Sequence, residues 1–495
     1  MKRLFCFLMC LTGLILVSSC NKWLDIQPKS AVAADDLFKT EAGFEEALNG
    51  VYIRCGSQDL YGDELTCGML DVMAQNFTLS TTIDQWHYLP TQKFNYKDAD
   101  FISRRDQLWG GLYNAIVNVN LILENIDAKK AIFTDHHYEL IKGEALGLRA
   151  FIHFDLFRMF GAAPNGQNRT IGIPYVTTYS NKVTRTFSAS EVLAAIEKDL
   201  SEAKALLGPV DPIVTKGYII DYPGSDSTTE DSDPALFMQK RRNRMNYYAV
   251  TATAARVYLY EGKKADALKS AQEVIKADKF PWTTQADFIN SDAKKQDLIL
   301  YKEMIFGWYE PWMIARLKSR FESGLGGLYI SQDDAQHIYE TNGIGGDDLR
   351  YKEWFQVGVN RNMEFREYAR NPDGDPDDPA SDLYPQTLPA IRLSEMYYIA
   401  AECTYDQNQA AALSLMDEVR SQRGIGTKMK AATKEVFINE LLKEARKEFF
   451  GTGQIFYMYK RLGKGILGQS GVQLPATDQI FVLPIPNNEI EFGNR

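Results

Sequence analysis

The sequence is poor in cysteine and histidine and contains no low-complexity tract. Of its 495 residues only six are Cys and five are His, which excludes a disulfide-rich scaffold and leaves no Cys/His spacing typical of zinc sites. The 35 Gly and 18 Pro residues follow no period, so a collagen-like chain is excluded as well. No nucleophile elbow, phosphate-binding loop or dinucleotide fingerprint is present. We therefore expect no metal, no cofactor and no catalytic activity.

Basic residues are fewer than acidic residues. The chain has 55 Lys and Arg against 65 Asp and Glu, a net charge of -10. Such a surface repels phosphate groups on balance, so we expect no nucleic-acid partner. Hydrophobic residues make up 45% of the chain and charged residues 24%, which is typical of a folded protein with a large core. Aromatic residues, at 12%, are abundant enough to supply binding surfaces.

Long apolar runs are missing except at the N-terminus. After Lys2 and Arg3, residues 4–17 form an almost wholly apolar run of 14 residues, too short to cross the roughly 30 Å core of a bilayer as a helix. Small residues then lead into Cys20, and this pattern resembles a bacterial lipobox. Residues 1–19 are thus predicted to be a lipoprotein signal peptide and Cys20 the lipidated residue; an ordinary signal peptide with an incidental Cys fits less well. We expect a lipid-tethered chain that does not span the membrane.

Three further cysteines, Cys55, Cys67 and Cys403, lie in the mature chain. Cys55 and Cys67 fall in a loop-like stretch of a protein predicted to be exported, where disulfides can form. The sequence leaves a disulfide between them and two free thiols as equal alternatives.

Apolar residues recur at the spacing of a helix face through much of the chain after residue 104. The first such face comprises Leu108, Leu112, Ile116, Val119, Leu123 and Ile126. A second runs over residues 141–159. A third is predicted to begin at Ser188, which has capping-box spacing to Glu191, and to end at Gly208.

Two later segments, residues 244–277 and 390–423, are typical of paired helices of the tetratricopeptide type. Gly262 separates the helices of the first pair, and residues 407–408 separate those of the second. Helix pairs of this kind stack on their neighbours to bury a continuous core. The fold class is therefore predicted to be mainly α, a tetratricopeptide-like helical-repeat scaffold with a loop-rich, irregular ligand-binding subdomain.

The less regular segments suggest where the chain divides. Residues 278–389 are rich in Gly, Asp and aromatics and show no sustained period, so we predict loops that carry the ligand site. The proline-containing tail, residues 474–494, is predicted to be extended. The predicted regions are the signal peptide at 1–19, an N-terminal helical region at 20–220, an acidic loop and helical hairpin at 221–277, a loop-rich variable subdomain at 278–389, and a C-terminal helical region with its tail at 390–495.

Several blocks of sequence resemble the SusD/RagB family of outer-membrane lipoproteins, and they occur in the family's order along nearly the whole mature chain. They are CNKWLDIQP at 20–28, LWGGLYNAIVNVNLILENI at 108–126, GEALGLRAFIHFDLFRMFGAAP at 143–164, IRLSEMYYIAAEC at 391–403, VRSQRG at 419–424, ARKEFFGTGQIFYMYKRL at 445–462 and LPIPNNEI at 483–490.

The resemblance implies a lipid-anchored protein of the cell outer membrane that faces the cell exterior. It implies binding of oligosaccharides and their delivery to a SusC-like TonB-dependent transporter as the partner. Some members of the family take up peptides instead, so a peptide-binding RagB-like lipoprotein is an alternative. The implied fold has tetratricopeptide-type helices that support a variable loop-rich part. It agrees with the periodic helical segments and the irregular segment that the sequence predicts.

Sugars are gripped by flat aromatic rings with hydrogen-bonding groups beside them, so aromatics in predicted loops are the candidate ligand-binding residues. They are Tyr61, Trp86, Tyr88, Trp282, Trp308, Tyr309 and Trp312. We expect Trp86, Trp308 and Trp312 to form part of one stacking platform. The alternative for each ring is that it packs in the core, since Trp is mostly buried in proteins.

Other chemistry is weakly indicated. His136 and His137 are adjacent near a predicted helix start, where they would point to different sides and make poor joint ligands. The acidic loop at residues 373–378 could hold calcium, but it lacks the spacing of an EF-hand. A surface glycan hydrolase with unrecognised carboxylates remains an alternative function.

Overall fold

The computed structural model describes residues 36–164, 166, 170–310, 313–321, 326–358, 361–369 and 386–493. Cys20 with the predicted lipobox, Trp312 and the acidic loop at 373–378 lie outside the described residues. Within the described ranges, no helix combines the length and the apolar character needed to cross a membrane.

The N-terminal part is built from six α-helices, of which the last three contain the predicted helix faces and the first three were not predicted. They are α1 (Glu41–Gly56), α2 (Met69–Met73), α3 (Leu89–Gln92), α4 (Ala99–Ile126), α5 (His137–Phe160) and α6 (Ala189–Leu207). The predicted capping box opens α6, because the Ser188 side chain accepts from the Glu191 N–H and the Glu191 carboxylate accepts from the Ser188 N–H. Trp109 on α4 is buried and packs against Phe160 of α5, with ring centroids 4.8 Å apart.

The predicted helix pairs are also present. Helices α7 (Tyr247–Glu261) and α8 (Lys264–Lys276) are joined at Gly262, whose φ of 80° lies in the left-handed region that glycine adopts without strain. The C-terminal set is α13 (Leu393–Thr404), α14 (Gln409–Gln422), α15 (Lys434–Glu448) and α16 (Gln454–Leu462).

Between the two helical sets lies the irregular segment. It contains α9 (Gln285–Phe288), β1 (Met304–Tyr309), α10 (Met313–Phe321), β2 (Tyr329–Ser331), α11 (Gln332–Tyr339), α12 (Leu349–Trp354), β3 (Phe355–Val357), β4 (Asn362–Phe365) and β5 (Thr387–Arg392). Strands β2, β4 and β3 form an antiparallel sheet in that order, and β1 pairs with β5. The β1–β5 pair brings the two ends of the segment together, with Met304 opposite Arg392 and Tyr309 opposite Thr387.

The prediction of an extended tail is wrong for the described part. After the short pair β6 (Ile466–Leu467) and β7 (Gln473–Leu474), the tail forms α17 (Asp478–Phe481) and α18 (Asn487–Phe492). Tertiary contacts order it, because the Leu483 N–H donates to the Met159 carbonyl at 3.0 Å. Prolines precede α18, with Pro486 at its N-cap, and proline is tolerated where a helix begins.

The long helices pack mostly against their neighbours in sequence. α1 contacts α4, and contacts then run from α4 to α5, α6, α7 and α8 in turn, with α8 against α13 and α13 against α14. Gly147 allows one close approach, since a Cβ there would lie 2.6 Å from the Met245 side chain. This neighbour-on-neighbour stack confirms the predicted helical-repeat scaffold.

A network of fully buried charges joins the C-terminal helices to the irregular segment. The Arg423 guanidinium donates to both carboxylate oxygens of Glu303 at 2.9 and 2.6 Å and to both of Glu448 at 3.0 and 2.7 Å. Arg350 donates to Glu448 at 2.9 Å. Burial alone would raise the pKa of Glu448, but Arg423, Arg350 and Arg392 together hold that pKa well below its usual range.

We expect Arg423→Met to lower the free energy of unfolding by about 3–5 kcal/mol, because it leaves two buried carboxylates without their shared partner. Urea denaturation measures the change. The control is Lys352→Met, which removes an exposed pair with Asp347 and should cost less than about 1 kcal/mol. Equal effects of the two substitutions would contradict the structural role of the network.

A buried histidine fastens the segment after α5 to that helix. The Val176 N–H donates to His153 Nε2 at 3.0 Å, so Nδ1 carries the proton and donates to the Arg149 carbonyl at 2.8 Å. The imidazole stacks on Tyr175 with ring centroids 3.9 Å apart. Burial lowers the pKa of His153 to about 3, and the nearby Arg149 charge adds to this effect.

In the unfolded chain His153 takes up a proton near pH 6.5, whereas in the folded chain it does so only near pH 3. The free energy of unfolding is therefore highest above pH 6.5 and falls as the pH is lowered from 6.5 towards 3. Between pH 7.5 and pH 5 the loss from this group should be about 2 kcal/mol. We expect His153→Phe to be less stable at both pH values but to lose about 2 kcal/mol less between them. The exposed His136→Gln should keep the wild-type dependence, and parallel pH profiles for all three proteins would contradict the assignment.

Candidate functional site

The predicted ligand-binding aromatics occupy different places in the fold. Tyr61 lies in the loop between α1 and α2, Trp86 and Tyr88 precede α3, and Trp308 and Tyr309 end β1. We call the surface formed by residues 57–64, residues 80–88, Tyr309 and helix α10 the loop face.

Trp308 and Tyr61 are core residues, which corrects the expectation that they stack on a sugar. Trp308 is 2% exposed and Tyr61 is 4% exposed, and their rings stack on each other at 4.5 Å. Phe306 packs against Trp308 at 4.7 Å, and the Tyr61 hydroxyl donates to Asp155 at 2.8 Å. A ring packed in this way has no free face for a ligand, so the predicted Trp86–Trp308–Trp312 platform is wrong in its Trp308 member.

Tyr88 is also buried, and its hydroxyl group is hydrogen-bonded to two charged side chains. It donates to Glu64 Oε2 at 2.8 Å and accepts from Arg320 Nη1 at 2.6 Å. The Arg104 guanidinium lies 4.2 Å from the ring centroid. Burial raises the pKa of Tyr88 well above its usual range. Tyr88 therefore supports the loop face from beneath and does not contact a ligand.

Trp86 is half-buried and keeps a place at the surface. The Arg320 guanidinium lies 4.5 Å from its ring, and its carbonyl accepts from Arg104 Nη2 at 3.0 Å. Within the described part of the chain, its indole Nε1–H is buried and has no acceptor. The exposed part of Trp86 is therefore its ring, while the buried indole nitrogen faces the protein.

Tyr309 is the exposed ring at the end of β1. It is 47% exposed, in contrast to its buried neighbour Trp308. Gly56, the last residue of α1, allows the close approach, since a Cβ there would lie 3.2 Å from the Tyr309 carbonyl. Trp312, three residues further on, lies outside the described residues.

Trp282 is placed elsewhere, among the C-terminal helices. Its half-buried ring packs against Tyr397 at 5.1 Å and lies 5.5 Å from the Arg423 guanidinium. These contacts link Trp282 to the buried charge network rather than to Trp86 or Tyr309.

Charged residues that the sequence did not single out hold the loop face together. Buried Arg320 pairs with Asp63, and Arg104 Nε pairs with Glu64 at 3.0 Å. Burial raises the pKa of Asp63 to about 6, although the Arg320 charge opposes this, so the pair is ionised at neutral pH. Arg320 and Asp63 are 257 positions apart, and no local pattern predicts such a pair.

Two guanidinium groups border the exposed part of this surface. Arg54 forms a bidentate pair with Asp59, with N–O distances of 2.9 and 2.7 Å, and both side chains are partly exposed. Arg316 Nη2 donates to the Gly62 carbonyl at 3.0 Å, and its Nε has no acceptor among the described residues. Polar groups beside aromatic rings are the arrangement that a polyhydroxylated ligand requires.

The carboxylates of the loop face are engaged in structural contacts. Glu64 accepts from Arg104, Tyr88 and the Met69 N–H, and Asp63 pairs with Arg320. Glycoside hydrolysis needs one carboxyl group that donates a proton and a second that attacks or activates water. Both carboxylates are thus taken up by contacts within the protein, which gives them a role in holding the surface together.

The cysteine alternatives are decided by the structure. Cys55, Cys67 and Cys403 are free thiols, and all three are buried. Burial raises the pKa of Cys67 well above its usual range, so this group is held as an inert thiol.

Two family models match the chain in succession. A model described as "Starch-binding associating with outer membrane" matches residues 22–214. A model described as "SusD family" matches residues 217–482.

Solved structures match over nearly the whole chain. A SusD superfamily protein from Bacteroides thetaiotaomicron has a TM-score of 0.71 and 21% identity, and the match covers 92% of this chain and 98% of that one. A putative sugar binding protein from Bacteroides vulgatus has a TM-score of 0.69 and 20% identity, with 92% and 97% covered. A SusD-like carbohydrate binding protein from Bacteroides vulgatus has a TM-score of 0.69 and 17% identity, with 91% and 96% covered. At these identities the likeness shows the fold.

Two SusD-like proteins of Formosa agariphila match parts of the sequence. One is 22% identical over 261 residues, 52% of this chain and 43% of that protein. The other is 26% identical over 204 residues, 39% of this chain and 36% of that protein. The chain thus matches less than half the length of each of these relatives.

Proposed function

Since the chain belongs to the SusD family, we propose that it is a cell-surface lipoprotein that binds oligosaccharides. It delivers them to a SusC-like TonB-dependent transporter of the outer membrane. The observation that carries the proposal is the loop face, where the exposed Tyr309 and the half-buried Trp86 are bordered by guanidinium groups.

The chemistry of this surface supports a sugar ligand. The C–H faces of a pyranose ring stack on aromatic rings, and its hydroxyl groups need donors and acceptors at the rim. Tyr309 offers an exposed ring, and the partly exposed Arg54–Asp59 pair supplies donors and acceptors at the border of the surface. Two of the matched structures are named as sugar or carbohydrate binding proteins, which is consistent with the same use here.

The buried charge pairs contribute by limiting movement of the site. A ligand surface that is already ordered loses less conformational entropy on binding. Arg320 ties α10 to residue Asp63 and to Tyr88, so three separate segments of the loop face are held by one side chain.

A peptide-binding RagB-like protein and a surface glycan hydrolase are the competing functions.

Binding of a glycan panel, measured by isothermal titration calorimetry, tests the ligand site. For a glycan that binds the wild type, we expect Trp86→Ala and Tyr309→Ala each to raise Kd about tenfold or more, which corresponds to roughly 1.4 kcal/mol of lost contact. The matched control is Tyr179→Ala, because Tyr179 is 40% exposed and lies outside the loop face.

Unchanged affinity of both variants would remove the loop face as the binding site. Release of new reducing ends from a bound glycan would favour the hydrolase. Binding of peptides in place of every glycan tested would favour the peptide-uptake alternative.

The predicted lipid anchor has its own test. We expect Cys20→Ser to prevent acylation and to shift the protein from the outer-membrane fraction to soluble fractions, because a tether without its acyl chains has no membrane affinity. Palmitate labelling and cell fractionation measure this, with the buried Cys403→Ser as the control. Retention of Cys20→Ser in the membrane at the wild-type level would contradict anchoring through Cys20.

Co-purification of the wild type with a TonB-dependent barrel tests the transporter partnership.

A further inference from the structure

A histidine and two glutamates meet where helix α1 lies beside the start of α5. Glu41 and Glu45 are one helical turn apart on α1, and His137 is the first residue of α5. His137 Nδ1 lies 2.5 Å from Glu41 Oε1 and 3.1 Å from Glu45 Oε1. The three side chains can present one ligand atom each within 4.8 Å of one another. The predicted weakness of adjacent histidines as joint ligands does not bear on this cluster, because only His137 takes part.

The imidazole nitrogen in this cluster is not paired in the ordinary way. Although two carboxylate oxygens lie close to it, Nδ1 is a buried atom without a hydrogen-bond partner in the described part of the chain. The carboxylates therefore approach the nitrogen from directions that do not suit an N–H donor. Two carboxylates held this close to one nitrogen and to each other repel unless a cation lies among them.

The ligand types suit a divalent transition metal. Zinc is bound by imidazole nitrogen and carboxylate oxygen at about 2.0–2.2 Å. Ligand atoms at the corners of a tetrahedron of that size are roughly 3.3 Å apart. The 3.1 Å separation is close to this value, and the 2.5 Å separation would have to open. Two carboxylates and a neutral imidazole also balance the charge of the ion.

A second layer of contacts holds the ligands in place. The Thr134 N–H donates to Glu41 Oε2 at 2.6 Å, and its hydroxyl lies 3.0 Å from the same oxygen. The Phe237 ring lies 5.3 Å from the imidazole ring and limits its rotation. Such supporting contacts are typical of metal sites. The side chains of His137, Glu41 and Glu45 are 12, 19 and 25% exposed, which leaves a path for the ion from solvent.

We propose that Glu41, Glu45 and His137 form a zinc site that clamps α1 to the N-terminal end of α5. Water completes the coordination in the fourth position. The site is independent of the loop face, so glycan binding at Tyr309 and Trp86 does not depend on it. The expected effect of the metal is to stabilise the contact between α1 and α5.

Zinc titration of the metal-free protein, with any affinity tag removed, tests the proposal. We expect one zinc ion per chain with a Kd of about 10 µM or lower, and a rise in Tm of about 2 °C or more at a hundredfold excess of zinc over Kd. Calcium and magnesium should give no comparable rise, because these ions prefer all-oxygen sites. Absorption bands of four-coordinate cobalt, added in place of zinc, report the geometry directly.

His137→Gln and Glu45→Gln should each weaken zinc binding at least thirtyfold and remove the cobalt bands. His136→Gln is the matched control, because this exposed neighbour lies outside the cluster and should bind zinc as the wild type does. If His137→Gln does not fold, Glu45→Gln and the cobalt spectrum of the wild type decide the question. Absence of binding below millimolar zinc, or equal binding by all variants, would overturn the proposal.

Discussion

The ion pairs of Arg423 with Glu303 and Glu448 are the interaction on which the rest of the structure depends. They join the end of α14, the last turn of α15 and the residue immediately before β1, with every side chain fully buried. Isolated buried charges are too costly to tolerate, so these elements must assemble together or not at all. This mutual requirement couples the helical scaffold to the irregular segment that it carries.

The same network positions the loop face at a distance. Met304 follows Glu303 directly, and its partner across the β1–β5 ladder is Arg392, which itself donates to Glu367 and to the Glu448 carbonyl. Both strands are thus anchored at one end by the network. At their other end they present Tyr309, which is exposed at the loop face. The buried ion pairs fix one end of the β1–β5 pair, and the strand pair in turn fixes the position of the Tyr309 ring at its other end.

Recognition of a ligand on this scaffold is a question of exposure rather than of residue type. Trp308 and Tyr309 are adjacent and both aromatic, yet one is 2% and the other 47% exposed. Along most of β1 both faces are covered, so the alternation of a half-buried strand is lost and only the last residue emerges. The positions of the loop-face residues also depend on distant contacts, since Arg320 binds Asp63 and Tyr88 from a different part of the chain.

The sequence by itself determined the long helices α4 to α8, because their signals are local: apolar spacing along α4, α5 and α6, the capping box at Ser188 and the glycine between α7 and α8. It also carried the family resemblance and the fold class. Only the tertiary structure decided which aromatic rings are buried, that the three thiols are free, and that Glu41 meets His137. Those outcomes rest on contacts between residues far apart in the chain, such as Arg423 with Glu303 across 120 positions. Short-range patterns do not encode such partners, since any of 65 acidic residues could have been chosen.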